Sequence, residues 1–288
     1  MFRREGSKGF LLVLPSLILC FFLGFYPFLQ IIYFSLFRST LGDSAPIFQG
    51  FGNFSAIISN DMSRESLITT LYFVVCTVGV EIPLGLAFAL LLNKDLRGKQ
   101  VFRFVMIFPM AISPMLAATM WNLTVRPETG PVNYILQLLH LPQPRWMAGT
   151  PIEAFATVML IDIWQWTPFV ALVLLAGLQG VPREPCEAAE VDGANRIQTL
   201  RYIVVPYIKN ILLLVLLLRL ADSLRTMDMI FGTTNGGPGT ATLVFSLLLY
   251  YKVYSQSLLG VGSAMALFMF VILNILGVVA FKVARQKA

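Results

Sequence analysis

Six long apolar runs divide the chain, at roughly 10–37, 67–92, 104–125, 153–179, 207–231 and 257–282. A run of about twenty apolar residues crosses a bilayer as a helix. Inside the hydrocarbon, only helices and closed barrels satisfy every backbone polar group. The spacing therefore predicts an all-α polytopic membrane protein of six transmembrane helices, a single transmembrane domain over residues 1–288. Composition agrees: 57% of residues are hydrophobic and 12% charged, against about 25% charged in a soluble domain. The first run exceeds a signal-peptide core and shows no small-residue cleavage site, so it is expected to stay as a span. Its Pro15 and Pro27 predict a kink or a start at the interface.

Basic residues set the orientation. With the N-terminus inside, 14 Lys and Arg fall in inner segments and 5 in outer ones. The inner set is Arg3, Arg4, Lys8, Lys94, Arg97, Lys99, Arg103, Arg183, Arg196, Arg201, Lys209, Lys282, Arg285 and Lys287. Both termini are therefore expected in the cytoplasm. The same asymmetry explains the net charge of +6 without a nucleic acid partner. Cys20, Cys76 and Cys186 are odd in number and show no metal-ligand spacing with the single His140, so neither a disulfide nor a metal site is expected. No phosphate-binding Gly-x-x-x-x-Gly-Lys-Ser/Thr is present. No nucleophile–base set marks a catalytic residue.

Charges inside the runs are the next signal, because an ionisable group in hydrocarbon must face protein or water. Glu81 precedes Pro83 in the second run; Asp162 lies near Trp164 and Trp166 in the fourth. Each carboxyl suits either solute contact or hydrogen-bonded packing. In the fifth run, Arg219, Asp222, Arg225 and Asp228 alternate in sign at steps of three, a spacing that lets helical neighbours pair. The ladder reads as a neutralised structural feature or as a polar wall for a hydroxyl-rich or anionic solute. Its polar content exceeds what packing requires, which favours the wall.

Residues 181–206 form a polar island between the fourth and fifth runs. Pro182 and Pro185 with Glu184, Glu187 and Glu190 suit a helix N-terminus. Ala188 and Ala189 permit close approach, and Gly193 suits a stop or bend. Ile197, Leu200, Ile203 and Val204 form an apolar stripe, after which Pro206 is expected to open the next span. The prediction is a helix–turn–helix at the membrane face.

Glu187-Ala188-Ala189, Asp192-Gly193 and Ile203-x-x-Pro206 resemble the cytoplasmic loop of binding-protein-dependent ABC importer permeases, with Val205 where Leu is usual. Thr234-Asn-Gly-Gly-Pro238 resembles the Thr-x-Gly-Gly-Pro signature of the first permease subunit in the carbohydrate (maltose and glycerol-phosphate) group. Met227-Asp-Met-Ile-Phe231 fits that group's run, with Met227 replacing an aromatic residue. Phe48-Gln-Gly-Phe-Gly-Asn-Phe54 is similar to a stretch after the first span of sugar-type permeases, and it also reads as an aromatic interfacial anchor. The glycosylation patterns at Asn53 and Asn122 are read as accidental.

The resemblance implies a type I ABC importer permease in its compact six-span form, in a bacterial or archaeal plasma (inner) membrane. It implies a second permease subunit, two ATPase subunits that hold ATP and Mg, and an external solute-binding protein for a sugar-like solute. Glu187, Ala188, Ala189, Asp192 and Gly193 would dock the ATPase. Asp162, Trp166, Arg219, Asp222, Arg225 and Asp228 would line the path. A proton- or sodium-coupled secondary transporter using Glu81 or Asp162 is the alternative, and it leaves the island at 181–206 unexplained. The topology is checked by labelling a chain freed of its native cysteines. Thr240→Cys should react from outside with an impermeant thiol reagent and Glu190→Cys should not.

Overall fold

The computed structural model describes residues 12–43, 45–94 and 97–285. The basic residues Arg3, Arg4, Lys8 and Lys287 used for orientation, and the start of the first run, lie outside them. In chain order the helices are α1 Leu12–Ser35, α2 Gly52–Ser59, α3 Asp61–Leu92, α4 Lys99–Ala111, α5 Pro114–Thr124, α6 Pro131–Leu138, α7 Pro151–Leu178, α8 Arg183–Val191, α9 Arg196–Leu224, α10 Asp228–Thr233, α11 Phe245–Tyr250 and α12 Leu259–Arg285. Five of the described helices, α1, α3, α7, α9 and α12, are long and apolar enough to cross a membrane, or six if the bent pair α4–α5 counts as one span.

Two compact units share the chain. One comprises residues 12–64 and 249–272. In it, β1 Phe37–Arg38 pairs antiparallel with β2 Ile47–Phe48. Buried Asn53 on α2 donates to the carbonyls of Ser35 and Phe37, each at 2.9 Å, and so ties the hairpin to its helix. That burial leaves no accessible amide for a glycan. At the hairpin's far end, Thr40 N–H donates to Asp43 Oδ2 at 2.6 Å, which lowers the Asp43 pKa below the usual carboxylate value. Phe28 packs on Phe270 with ring centroids 5.1 Å apart.

The second unit, residues 65–248 and 273–285, contains most of the apolar core. Ala89, Leu92, Val170, Leu174, Leu175, Leu178, Ile208 and Val215 bring α3, α7 and α9 together. The approach of α3 to α7 depends on Gly85. A Cβ there would lie 2.7 Å from Val170 Cβ and 3.1 Å from the Ala171 backbone nitrogen. The start of α7 is fixed by a capping box: Thr150 Oγ1 accepts from the Glu153 N–H at 3.2 Å, and the Thr150 N–H donates to Glu153 at 2.7 Å.

Three expectations change. The run at 104–125 is not one straight helix: α4 and α5 meet at 100°. Pro109 lacks a donor, and Pro114 forces Ser113 into extended backbone (φ −63, ψ 145), where its hydroxyl caps α5. The helix after the polar island starts at Arg196, not at Pro206, and runs unbroken for 29 residues. Asn195 and Gln198 form its capping box. A π-turn at Leu200–Val204 takes up the donor missing at Pro206. A second π-turn at Phe21–Phe25 precedes Pro27 in α1 in the same way. Finally, the helix expected over 207–231 ends at Leu224 and resumes at Asp228. The Thr226 carbonyl in that break accepts from Ser246 Oγ at 2.6 Å, so the interruption leaves it satisfied.

Gly85→Leu should wedge α3 from α7 and lower the thermal midpoint of the detergent-solubilised complex by several degrees, read by size exclusion after heating. Val170→Ala in the same chain should restore part of the loss.

Candidate translocation site and coupling loop

Arg219 projects from α9 into the meeting point of α3 and α7. It is 1% exposed, and Glu81 and Asp162 are fully buried. Its Nε donates to Glu81 Oε2 at 2.7 Å and its Nη2 to Glu81 Oε1 at 2.9 Å, a bidentate pair. The same Nη2 donates to Asp162 Oδ2 at 3.1 Å. Nη1 stands 3.8 Å from Asp222 Oδ2, one turn further along α9. The Trp166 ring lies 4.9 Å from the guanidinium carbon, within cation–π range. A lone guanidinium would be prohibitive here; two carboxylates and an aromatic face make it tenable.

Arg219, Trp166, Asp222, Arg225 and Asp228 line one cavity of about 290 Å³, together with Pro114, Thr226, Met227 and Met229. Asp162 is not in the lining; it sits behind Arg219, and its Oδ1 has no partner. The four charges of the expected ladder do not share one helix. Arg225 caps the end of α9, donating from Nε to the Ala221 carbonyl and from Nη2 to Asp222 Oδ1, both at 3.1 Å. Asp228 opens the separate α10. The wall is thus a helix end, a three-residue break and a helix start. Sequence reasoning missed Gln165, which is buried on α7. Its Nε2 donates to the Ile112 carbonyl at 2.8 Å, in the bend between α4 and α5. A glutamine one turn from Asp162 in an apolar run was the available signal.

The polar island at 181–206 follows the C-terminal end of α7. Helix α8 carries Glu187, Ala188 and Ala189, the first two exposed and Ala189 half-buried. Asp192 ends it and Gly193 turns the chain at φ +83. The Ala194 N–H reaches back to the Ala189 carbonyl at 2.9 Å and the Gly193 N–H to that of Glu190 at 3.1 Å, closing the helix end. A side chain at 193 would meet no steric obstacle, but it would have to adopt left-handed backbone. Around this turn Val191 is 88% exposed and Ile197 75%, apolar groups that no described residue covers.

The family model for the binding-protein-dependent transport system inner membrane component matches residues 81–288. The chain belongs to that family. It is 36% identical over 282 residues to the trehalose/maltose transport system permease protein MalF of Thermococcus litoralis, covering 98% of this chain and 95% of that one. It is 32% identical to the sulfoquinovosyl glycerol transport system permease protein SmoG of Agrobacterium fabrum, over 96% and 90% of the two chains. It is also 32% identical to the trehalose transport system permease protein SugA of Mycobacterium tuberculosis, over 94% and 88%. A crystal structure of a bacterial alginate ABC transporter, with its alginate-bound periplasmic protein, superposes with a TM-score of 0.85 at 20% identity, over 98% of this chain and 96% of that one. The fold is that of a type I ABC importer permease, and a transport permease is the class of protein this is.

Removing the buried cation should harm this permease more than softening one of its partners. Arg219→Met leaves two buried carboxylates facing each other, a loss of about 3–5 kcal/mol. Glu81→Gln keeps an acceptor for one guanidinium N–H. Folded yield in the membrane should fall steeply for Arg219→Met and less for Glu81→Gln, measured by quantitative gel filtration of extracted protein.

Proposed function

We propose that this permease forms half of the translocation path of an ATP-driven importer for a sugar or sugar derivative. The observation that carries the reading is the cavity at the end of α9, lined by Arg219, Arg225, Asp222, Asp228 and the Trp166 indole, in a chain whose full-length relatives bear the names of sugar and sugar-derivative transporters. Guanidinium donors and carboxylate acceptors suit hydroxyl groups, and the indole suits the apolar face of a pyranose ring. A second permease subunit supplies the opposite wall. Two ATPase subunits bind ATP and Mg, and an external solute-binding protein delivers the solute. The complex sits in a bacterial or archaeal plasma membrane with both termini of this chain in the cytoplasm.

Coupling runs through residues 181–206. Glu187 offers a carboxylate to a basic group of the ATPase, Ala188 and Ala189 allow close contact, and Asp192 and Gly193 set the turn. The exposed Val191 and Ile197 support a partner at this surface. A secondary transporter coupled through Glu81 or Asp162 has less support, because Arg219 holds both Glu81 oxygens and one Asp162 oxygen and such a transporter leaves residues 181–206 without a role.

Reconstitution of the four-component complex in proteoliposomes tests the reading. With ATP inside, uptake of a labelled sugar should require the binding protein and survive collapse of the proton gradient. Gly193→Asp or Glu187→Lys should abolish uptake with the spans still inserted. The ATPase should then co-purify less well, or stop responding to loaded binding protein. Full uptake in both variants would reduce the loop to a linker.

A further inference from the structure

The charge balance around the cavity points beyond a generic sugar site. Two guanidiniums, Arg219 and Arg225, meet four carboxyls: Glu81, Asp162, Asp222 and Asp228. Pairing Arg219 with Glu81 and Arg225 with Asp222 uses both cations and leaves Asp162 and Asp228 over. Even with a proton on Asp162, Asp228 remains. The hydrogen-bond inventory points the same way. Arg219 commits Nε and Nη2 to Glu81 and Asp162, and keeps only its Nη1 edge, 3.8 Å from Asp222, for anything else. Arg225 commits Nε to a backbone carbonyl and Nη2 to Asp222. No guanidinium in this wall has the free fork that would grip a phosphate, sulfonate or carboxylate.

We propose that this cavity selects uncharged, hydroxyl-rich solutes and excludes anionic ones, with Asp228 as the charge that sets the exclusion. The proposal rests on the sugar-importer reading and names the solute class within it. A neutral polyol brings both halves of the hydrogen bonds the wall needs. Its hydroxyls donate to the Asp222 and Asp228 carboxylates, its oxygens accept from Arg219 Nη1, and a ring face lies against Trp166. An anionic sugar brings an acceptor-only group to a wall with surplus acceptors. It meets the unpaired negative charge of Asp228, and a concave wall with an excess of one sign repels a solute of that sign.

The test reads the local potential without requiring the solute to be known. Met227→Cys is placed in the cavity lining of a chain freed of its native cysteines, within the intact complex in nanodiscs. It is treated with thiosulfonate reagents of opposite charge, and the mass shift of this chain is followed with time. After correction for rates with a free thiol, the cationic reagent should react about tenfold faster than the anionic one. Asp228→Asn should shrink that ratio, and Arg225→Gln, a change of opposite sign outside the buried cluster, should widen it. Equal rates, a faster anionic reagent, no reaction with either, or a ratio indifferent to both substitutions would overturn the proposal. Protection of the same cysteine by millimolar trehalose, but not by trehalose 6-phosphate, is the expected second result. Protection by both sugars would overturn charge selection. A cation-favouring ratio with protection by neither would keep the charge argument and remove sugar occupancy of this cavity.

Discussion

A guanidinium in the middle of a membrane protein can exist only where the fold supplies counter-charge at bonding distance. Here Glu81 of α3 and Asp162 of α7 supply it to Arg219 of α9. The three helices are brought within that distance by ordinary apolar packing, including the close approach at Gly85. The dependence is mutual. Without the packing the charges would separate into lipid, and without the charges the polar side of α9 would have nowhere to go. Breaking such a cluster is more costly than forming it is favourable, so it specifies one arrangement of the three helices rather than adding much net stability.

Proline is the second constraint, and it is handled in three ways. In α1 and α9, a π-turn just before Pro27 and Pro206 absorbs the missing donor and keeps the helix continuous. In α3 and α7, Pro83 and Pro168 sit inside unbroken helices. Between α4 and α5, two prolines five positions apart, Pro109 and Pro114 with Ser113 as cap, turn the chain through 100° instead. The bend then receives the Gln165 amide from α7, so it is held as firmly as a helix end.

Much of this was legible in the residues. Apolar run length locates the long helices, because the bilayer imposes it. The loop's helix–turn–helix was readable from Pro182, the glutamates and Gly193, since caps and turns are local chemistry. What the chain does not spell out is non-local. Nothing near Arg219 says that its partners lie 138 and 57 positions away, on α3 and α7. The interruption at 225–227 was invisible in an apolar run, because Ser246, which satisfies the freed carbonyl, is contributed from α11. The start of α9 was a misjudged local signal. Asn195-x-x-Gln198 is a capping box, but Pro206 competes with it as a helix opening, and the π-turn that reconciles them has no sequence signature of its own.

The unbroken α9 has a mechanical consequence. Twenty-nine residues at about 1.5 Å each make a rod of roughly 40 Å, with the Gly193 turn just beyond one end and Arg219 near the other. In the proposed importer, a twist applied at the foot of this rod would be carried along the helix to its head. At the head, the bidentate contact with Glu81 tolerates displacement of well under an ångström before its geometry is lost. In the proposed importer the ion cluster would act as a detent, holding the rod in one setting against small torques and letting go all at once under a larger one. Graded strain below would then become a discrete change above.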